Sequence, residues 1–264
     1  MVKIIKNVLI KLGIFNSIKY SKFTDLYTYL LKPAKKKQRQ KELNFYQSFL
    51  PECKLIFDIG ANDGHKTVVF SKIAAKVVAC DPDPYNIAIL TTRFRNHKNI
   101  NIEPLAITDH IGESSFYVQQ PGSALNSINP QWKNILEQQN NNRWQEAIQF
   151  SDTVIPVKTT TLDALIAKYG IPDFIKIDVE GNELNVLKGL SHSVKYISYE
   201  VLLPEFIDDA IKAMDLISAN NNAVFLNYAV EEKLILPEFL NYSDFKLLLL
   251  GITIPHLEII VAAK

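Results

Sequence analysis

The sequence is poor in the features that mark secreted and membrane-spanning proteins. Its 264 residues include only two cysteines, Cys53 and Cys80, each beside an apolar run, so no disulfide framework is indicated. Lysines interrupt the start of the chain too often for a secretory signal. The apolar run at residues 247–254 is far shorter than the roughly 20 residues that span a bilayer, and we predict it as core. These absences favour a cytoplasmic protein with reduced, buried thiols.

Acidic residues are scarce at the beginning of the chain. Residues 1–50 contain 11 Lys and Arg against 2 Asp and Glu, whereas the remaining residues contain 18 against 26. Helical patterns, broken near Pro33 and the lysines at 35–37, fill this basic part. We therefore predict a basic helical appendage at 1–50 and a main domain at 51–264.

The first helical pattern of the appendage is amphipathic. Its apolar side holds Ile4, Ile5, Val8, Leu9, Leu12 and Phe15. Such a helix can lie in a membrane interface, which predicts peripheral contact of residues 1–41 with the acidic inner face of a membrane. Packing of the same stripe on the main domain or on a second subunit is the alternative. Because aromatic residues do not alternate with the basic ones, no nucleic-acid partner is expected.

From Lys54 onwards, short apolar runs alternate with amphipathic stretches, a pattern typical of βαβ units. The predicted strands are Leu55–Ile59, Val77–Cys80, Ile100–Pro104, Phe174–Asp178, Tyr196–Val201, Ala223–Asn227 and Glu258–Ala262. The predicted helices between them lie at about 65–75, 84–96, 161–169, 181–190 and 205–220. This order predicts an α/β fold with a Rossmann-like, doubly wound and mostly parallel sheet.

One long segment interrupts this alternation. Two short patterns, Ser115–Val118 and Val154–Lys158, predict a two-stranded excursion. The residues between them, 119–150, are rich in Gln and Asn and contain both tryptophans, Trp132 and Trp144. Long insertions in compact domains are often active-site lids, and we predict a lid here, with a loose surface loop as the alternative.

A glycine turn follows the first predicted strand. Gly60 and Gly64 allow the backbone to pass close to a ligand, and the helix that follows offers free N–H groups to a carboxylate. A dinucleotide fingerprint needs another glycine where Asn62 stands, so pyrophosphate binding is disfavoured. A tight turn without any cofactor and a nicotinamide oxidoreductase are the alternatives.

Acidic residues end two further strands. Asp81 follows the second strand about 20 residues after the turn, where a carboxylate can accept the ribose hydroxyls of an adenosine. Asp178 and Glu180 end the strand that begins at Phe174, where they can anchor the ammonium group of a ligand or orient an acceptor. For Glu180 the alternative is a charge that stabilises the start of a helix.

These residues resemble the FkbM-type methyltransferases, a branch of the Rossmann-like enzymes that use S-adenosylmethionine. The shared motifs are Asp58-Ile59-Gly60-Ala61-Asn62-x-Gly64, Asp81-Pro82-x-Pro84-x-Asn86, Leu105-Ala106-Ile107, Thr161-Leu162-Asp163, Lys176-Ile177-Asp178-Val179-Glu180-Gly181-x-Glu183-x-x-Val186-Leu187-x-Gly189, and Glu200. They cover roughly residues 54–201, and the family often has Glu where Asp81 stands.

The resemblance implies a class I methyltransferase fold, S-adenosylmethionine as cofactor, and a sugar, glycan precursor or small natural product as the acceptor of a methyl group on oxygen. The implied cofactor-binding residues are Asp58, Gly60, Ala61, Asn62, Gly64, Asp81, Pro82, Ala106 and Asp178. A catalytically silent adenosyl-binding or interaction module is the alternative from another class.

Methyl transfer from a sulfonium is an in-line displacement, so positioning can supply much of the acceleration. Among the candidates for taking the proton of an acceptor hydroxyl, we favour Asp178 and Glu180 as catalytic residues over Glu200 and His65. No metal ion is predicted, because the histidines show no ligand spacing; a cation held by Asp178 and Glu180 is the less favoured alternative.

Overall fold

The computed structural model describes residues 33–138 and 148–264, with side chains from residue 36 onwards. The predicted amphipathic helix at the beginning of the chain and Trp144 in the predicted lid lie outside the described residues. The strands are β1 (Cys53–Ile59), β2 (Ala74–Cys80), β3 (Ile100–Glu103), β4 (Ala106–Ile107), β5 (Gly112–Tyr117), β6 (Val154–Thr160), β7 (Phe174–Ile177), β8 (Tyr196–Leu202), β9 (Val224–Ala229), β10 (Leu240–Asn241) and β11 (His256–Ala263). The helices are α1 (Pro33–Gln47), α2 (His65–Phe70), α3 (Pro84–Phe94), α4 (Pro130–Glu137), α5 (Leu162–Tyr169), α6 (Glu183–Lys188), α7 (Ile207–Ala219) and α8 (Tyr242–Leu250).

A large sheet in the order β10-β9-β11-β8-β7-β1-β2-β3 forms the centre of the molecule. Five neighbouring strands of this sheet, β3, β2, β1, β7 and β8, pair in parallel. Strand β11 runs antiparallel between β8 and β9. The central strands β1 and β7 are almost entirely buried, as expected for parallel strands covered on both faces. This sheet confirms the predicted Rossmann-like, mostly parallel α/β fold.

The order of the strands positions the candidate site. Strands β2, β1, β7 and β8 are neighbours in the sheet and run in the same direction. Their carboxyl ends therefore meet at one edge, where ligands bind in open α/β sheets. The residues predicted for the site from three distant parts of the chain follow β1, β2 and β7 at this edge.

The excursion from the central sheet has one strand more than the sequence predicts. Strand β6 pairs with β5 in antiparallel orientation and with the two-residue strand β4 in parallel orientation. Ala106 and Ile107 are too few to show an alternating pattern, so their place beside Thr159 and Thr160 depends on tertiary pairing.

Part of the predicted lid is a helix that packs on the core. Helix α4 begins after Asn129, whose side chain accepts a hydrogen bond from the N–H of Gln131. Trp132 on this helix is buried, and its indole Nε1 donates to the carbonyl of Leu125 over 3.1 Å. The few apolar residues of this short helix stand in a sequence dominated by Gln and Asn. The pattern therefore predicts an insertion without a helix of its own.

One further expectation needs correction, and one helix of the predicted appendage packs on the main domain. The prediction of core for residues 247–254 is wrong for Leu247 and Leu250, whose exposures are 72% and 61%, because α8 buries only one of its faces. Helix α1, assigned to the appendage, packs its final turns into the core through Phe45 and Tyr46. Its sequence begins with a polar, lysine-rich stretch, so the pattern hides its apolar end.

The side chain of Tyr46 joins α1 to the sheet. It is fully buried, and its ring centroid lies 4.8 Å from that of Phe70 and 5.9 Å from that of Phe174. Its hydroxyl has no hydrogen-bond partner among the described residues.

No helix in the described ranges is long and apolar enough to cross a membrane.

Replacing Tyr46 tests this packing. We expect Tyr46→Ala to lower the free energy of unfolding by about 3–5 kcal/mol, because it leaves a cavity among aromatic rings. Tyr46→Phe keeps the ring and removes only an unpartnered hydroxyl, so its free energy of unfolding should stay within about 1 kcal/mol of that of the native chain. Chemical denaturation measures both values. Equal losses in the two variants would contradict the packing.

The packing of α1 also decides how the predicted membrane contact is tested. A chain that starts at Pro33 keeps α1, whereas one that starts at Pro51 loses part of the core. We expect the full chain to sediment with acidic phospholipid vesicles at low salt and to be released at high salt. The chain from Pro33 should sediment less. Equal sedimentation of the two chains, or none, would refute the contact.

Candidate functional site

Gly60 brings the ends of β1 and β7 into contact. Its φ is +84°, and a Cβ at this position would stand 1.7 Å from the carbonyl oxygen of Asp178. No residue with a side chain fits there, so the glycine is required by close backbone approach as well as by conformation. The contact places the glycine turn directly beside the carboxylates that follow β7.

Asp81 organises the turn from the end of β2. One of its carboxylate oxygens accepts a hydrogen bond from the N–H of Asn62 over 2.8 Å. The other accepts from the N–H of Asp83 over 2.9 Å and from Nδ2 of Asn86 over 3.2 Å. Burial raises the pKa of Asp81 to about 7, although these three hydrogen bonds oppose the shift. A carboxylate can accept about four hydrogen bonds, so one position remains for a ligand hydroxyl.

The residues between β1 and α2 divide into two groups. Gly60 and Asn62 line the cleft, and Asn62 has a positive φ of 49°, a conformation that Asn tolerates. Asp58 lies behind the turn, where its carboxylate accepts from the Thr67 hydroxyl and burial raises its pKa to about 6.

Two further residues of the turn, Ala61 and Gly64, also lie outside the lining. A Cβ on Gly64 would stand 2.5 Å from the ring of Phe94, so this glycine serves the packing of α2 on α3. The N–H of His65 at the start of α2 donates to the Asp63 side chain over 3.0 Å. One of the helix N–H groups that we expected to meet a ligand carboxylate is thus satisfied within the protein.

A cleft of about 630 Å³, counted with its opening to solvent, follows this edge of the sheet. Of the predicted cofactor-binding residues, the structure brings together Gly60, Asn62, Asp81, Pro82, Ala106 and Asp178. The apolar part of the lining comes from Ile59, Leu105, Ile107, Phe116 and Ile128.

Residues 119–128 form a roof over this cleft, and two hydrogen-bonded anchors hold the roof. Asp83 caps α3 with one carboxylate oxygen and with the other accepts from the N–H of Gly122 and from Nδ2 of Asn126. On the opposite side, the Ser127 hydroxyl donates to the carbonyl of Glu180 over 2.7 Å. The roof is therefore tied to the loops after β2 and after β7 at once.

A cluster of charges lies at the ends of β7 and β8. Lys176, only 1% exposed, places Nζ 3.0 Å from one oxygen of Glu200 and 3.3 Å from Asp178. The second oxygen of Glu200 is 2.9 Å from Nε2 of His256 at the start of β11. Together with Glu180, whose φ of 57° is unusual for a residue with a side chain, these groups form a compact acidic site around one buried cation.

Burial and mutual repulsion set the charges of the three carboxyls. Burial, and then the negative charge of Glu200, raises the pKa of Asp178. Burial raises the pKa of Glu180 well above its ordinary value, with Asp178 and Glu200 adding to the shift. Burial also acts on Glu200, but Lys176 and His256 hold its pKa well below the ordinary value. Glu200 therefore carries the negative charge most firmly.

Several residues have roles in the site that the sequence analysis did not assign. Glu183 accepts hydrogen bonds from the N–H groups of Val179 and Gly181 and so shapes the loop after β7; burial raises its pKa to about 7. Asp83 and His256 carry no pattern that distinguishes them from ordinary surface residues. Lys176 belongs to a motif shared with the family and stands inside an apolar strand, and either signal could have singled it out.

The candidate base His65 lies away from the cluster. Its Nε2 contacts the carboxylate of Glu42 on α1 over 2.9 Å, and it does not line the cleft. In residues 36–138 and 148–264, no three His, Cys, Asp or Glu side chains are placed so that they could hold a metal ion together.

The family model of the FkbM methyltransferase domain matches residues 58–225, more than half of the chain. The chain belongs to the FkbM methyltransferase family. The predicted family is thus confirmed: residues 58–225 are a methyltransferase domain of the FkbM type, and the cofactor of this family is S-adenosylmethionine. A comparison with curated proteins found no match.

Solved structures with a similar arrangement include other methyltransferases. The methyltransferase FkbM from Methylobacillus flagellatus KT is 16% identical over 69% of this chain and 42% of its own length, with a TM-score of 0.44. This chain therefore spans less than half of that relative. Precorrin-6y C5,15-methyltransferase from Geobacter metallireducens GS-15 is 10% identical over 86% of this chain and 87% of its own, with a TM-score of 0.44.

The cleft of this FkbM methyltransferase fits the cofactor of the family. The buried Oδ1 of Asn86 lines the cleft and has no hydrogen-bond partner among the described residues, which leaves an acceptor for a ligand donor. Asp81 and Asn86 would hold the ribose side, and the apolar residues the adenine. Asp178 would meet the positively charged end of the ligand, because a carboxylate is favoured beside an ammonium or sulfonium group.

Replacing Asp81 tests this assignment. We expect Asp81→Ala to weaken binding of S-adenosylmethionine by about ten- to hundredfold, because a hydrogen bond to a charged group contributes about 1.5–3 kcal/mol. Calorimetric titration measures the dissociation constant, and the melting temperature checks the fold. Asp58→Asn is the matched control, since Asp58 is also a buried carboxylate but does not line the cleft. An unchanged dissociation constant in folded Asp81→Ala would refute the assignment.

Proposed function

We propose that this methyltransferase transfers the methyl group to a hydroxyl oxygen of a small acceptor, a sugar, a glycan precursor or a natural product. The observation that carries the proposal is a second, smaller cleft that opens to solvent beside the first and shares two carboxyls with it. Asp178 and Glu180 line both clefts, so an acceptor in the second would meet the cofactor at these two carboxyls.

The lining of the second cleft suits a compact acceptor that carries hydroxyl groups. Its polar groups are Asp178, Glu180, Glu183, Glu200 and His256, and its apolar wall comes from Trp132, Val201, Leu202 and Phe206. Carboxylates accept hydrogen bonds from hydroxyls, and aromatic rings support the apolar face of a sugar. The rings of Trp132 and Phe206 lie 6.1 Å apart beside Gly181, where a Cβ would contact both.

In this proposal Asp178 accepts the proton of the acceptor hydroxyl. S-adenosylmethionine supplies a methyl group activated on a sulfonium. The raised pKa of Asp178 makes it a stronger base than an ordinary carboxylate, while Lys176 at 3.3 Å keeps part of it ionised. The methyl carbon would form a bond to the acceptor oxygen as its bond to the sulfonium sulfur breaks, leaving a neutral thioether, and Asp178 would accept the hydroxyl proton on a carboxylate oxygen.

Glu180 has a different role in the same site. Burial raises the pKa of Glu180 well above its ordinary value, with the charges of Asp178 and Glu200 adding to the shift, so in this proposal Glu180 carries a proton. A protonated carboxyl donates a hydrogen bond and can orient the acceptor oxygen. In this proposal Asp178 is the base and Glu180 is the hydrogen-bond donor that orients the acceptor.

The variants Asp178→Asn and Glu180→Gln separate these roles. We expect Asp178→Asn to slow methyl transfer by about a hundredfold or more, because the amide cannot accept the proton. Glu180→Gln mimics the protonated acid and should retain most of the rate. Transfer of a labelled methyl group to a panel of sugars, lipid-linked sugars and natural products measures both rates. A native rate in Asp178→Asn would remove Asp178 as the base, and no labelled hydroxyl product with any acceptor would contradict the proposed function.

A further inference from the structure

His256 is the one member of the charge cluster that comes from β11, outside the matched region 58–225. Its Nε2 lies 2.9 Å from Glu200, and 57% of its side chain is exposed. Glu200 thus has each of its oxygens on a different cation, Lys176 on one side and His256 on the other. Asp178 is paired through one oxygen with Lys176.

We propose that His256 is a positioning residue: its imidazolium holds the Glu200 carboxylate on Lys176 and so leaves Asp178 as the group that accepts the proton. This inference rests on the proposed function in assigning that proton to Asp178. The geometric argument is that Lys176 has two carboxylates within 3.3 Å and one positive charge. The imidazolium of His256 is a second positive charge beside Glu200. It neutralises Glu200, whose negative charge would otherwise favour the protonated form of Asp178.

The groups that face the cluster come from every element packed against it. Lys176 and Asp178 belong to β7 and its end, Glu180 and Glu183 to the turn before and the start of α6, and Glu200 to β8. Strand β11 adds His256 and Glu258, and α1 adds Tyr46. Glu258 and Tyr46 both raise the pKa of Lys176, and Glu258 also raises that of Asp178. The charge of Asp178 in turn raises the pKa of His256. His256 is the exposed cation among them, so it can change its charge without unfolding the site.

The direction of the effect follows from the charges. The hydrogen bond to Glu200 raises the pKa of His256, so its positive charge persists above the ordinary pKa of histidine. A positive charge in the cluster favours the ionised form of Asp178. Removing that charge must therefore move the titration of Asp178 to higher pH.

The experiment follows this titration directly, without cofactor or acceptor. Carboxyl carbons of Asp and Glu are labelled with carbon-13 in the full chain, and the Asp178 resonance is assigned by its loss in Asp178→Asn. His256→Gln keeps a hydrogen-bond donor and removes the charge, whereas His256→Lys keeps a charge. We expect the Asp178 midpoint to rise by about half a pH unit or more in His256→Gln and to stay near the native value in His256→Lys.

His192→Gln is the matched control. His192 also contacts a carboxylate, Asp163, over 2.9 Å, but lies outside both clefts. Its replacement should leave the Asp178 midpoint unchanged. No shift in His256→Gln, an equal shift in His256→Lys, or the same shift in His192→Gln would overturn the inference.

A second readout separates this inference from the proposed function. With an acceptor in hand, the low-pH limb of the methyl-transfer rate should shift upwards in His256→Gln by the same amount and stay near its native position in His256→Lys. A purely structural role would lower the melting temperature or the rate at every pH. If no hydroxyl acceptor is found, the proposed function fails, but the titration of Asp178 still tests the role of His256.

Discussion

The contact between Gly60 and the carbonyl of Asp178 is the constraint on which the site depends. Neighbouring parallel strands bring their ends together, but only a residue without a Cβ allows the turn after β1 to touch the backbone after β7. This contact joins the cofactor cleft to the carboxyl cluster without an intervening layer of side chains. Cofactor and acceptor can then meet at a single pair of residues, Asp178 and Glu180.

The buried charge of Lys176 links this site to the stability of the fold. A cation that is 1% exposed is expensive unless it is paired, and its neighbours Asp178 and Glu200 supply the compensation. The same lysine lies beside Asp58 in the register of β1 and β7, and its charge acts on Asp58 and on Tyr46. The electrostatics of the catalytic edge therefore extend beneath α1 into the core.

Much of the fold and of the cofactor cleft could be predicted, because local patterns carry them. Apolar runs predict the central strands, and the motifs around Gly60 and Asp81 predict where the cleft lies. Contacts between distant residues leave no such pattern: the anchor from Asp83 to Asn126 joins residues 43 apart, and His256 reaches Glu200 only because β11 inserts beside β8. The packing of helix α1 on the main domain leaves no pattern for a related reason, since the polar beginning of the helix conceals the aromatic turn that packs on Phe174.

The place of β11 also bears on how the chain folds. This strand lies between β8 and β9, which precede it in sequence and cannot pair with each other while they hold the positions they have in the sheet. A growing chain that ends before residue 256 therefore presents two open strand edges, each able to recruit another chain. Sheet closure must wait for pairing between residues far apart in sequence, which is intrinsically slow. Before β11 pairs with β8 and β9, these open edges expose the chain to aggregation. Glu200 also lacks the contact with His256 until β11 is in place.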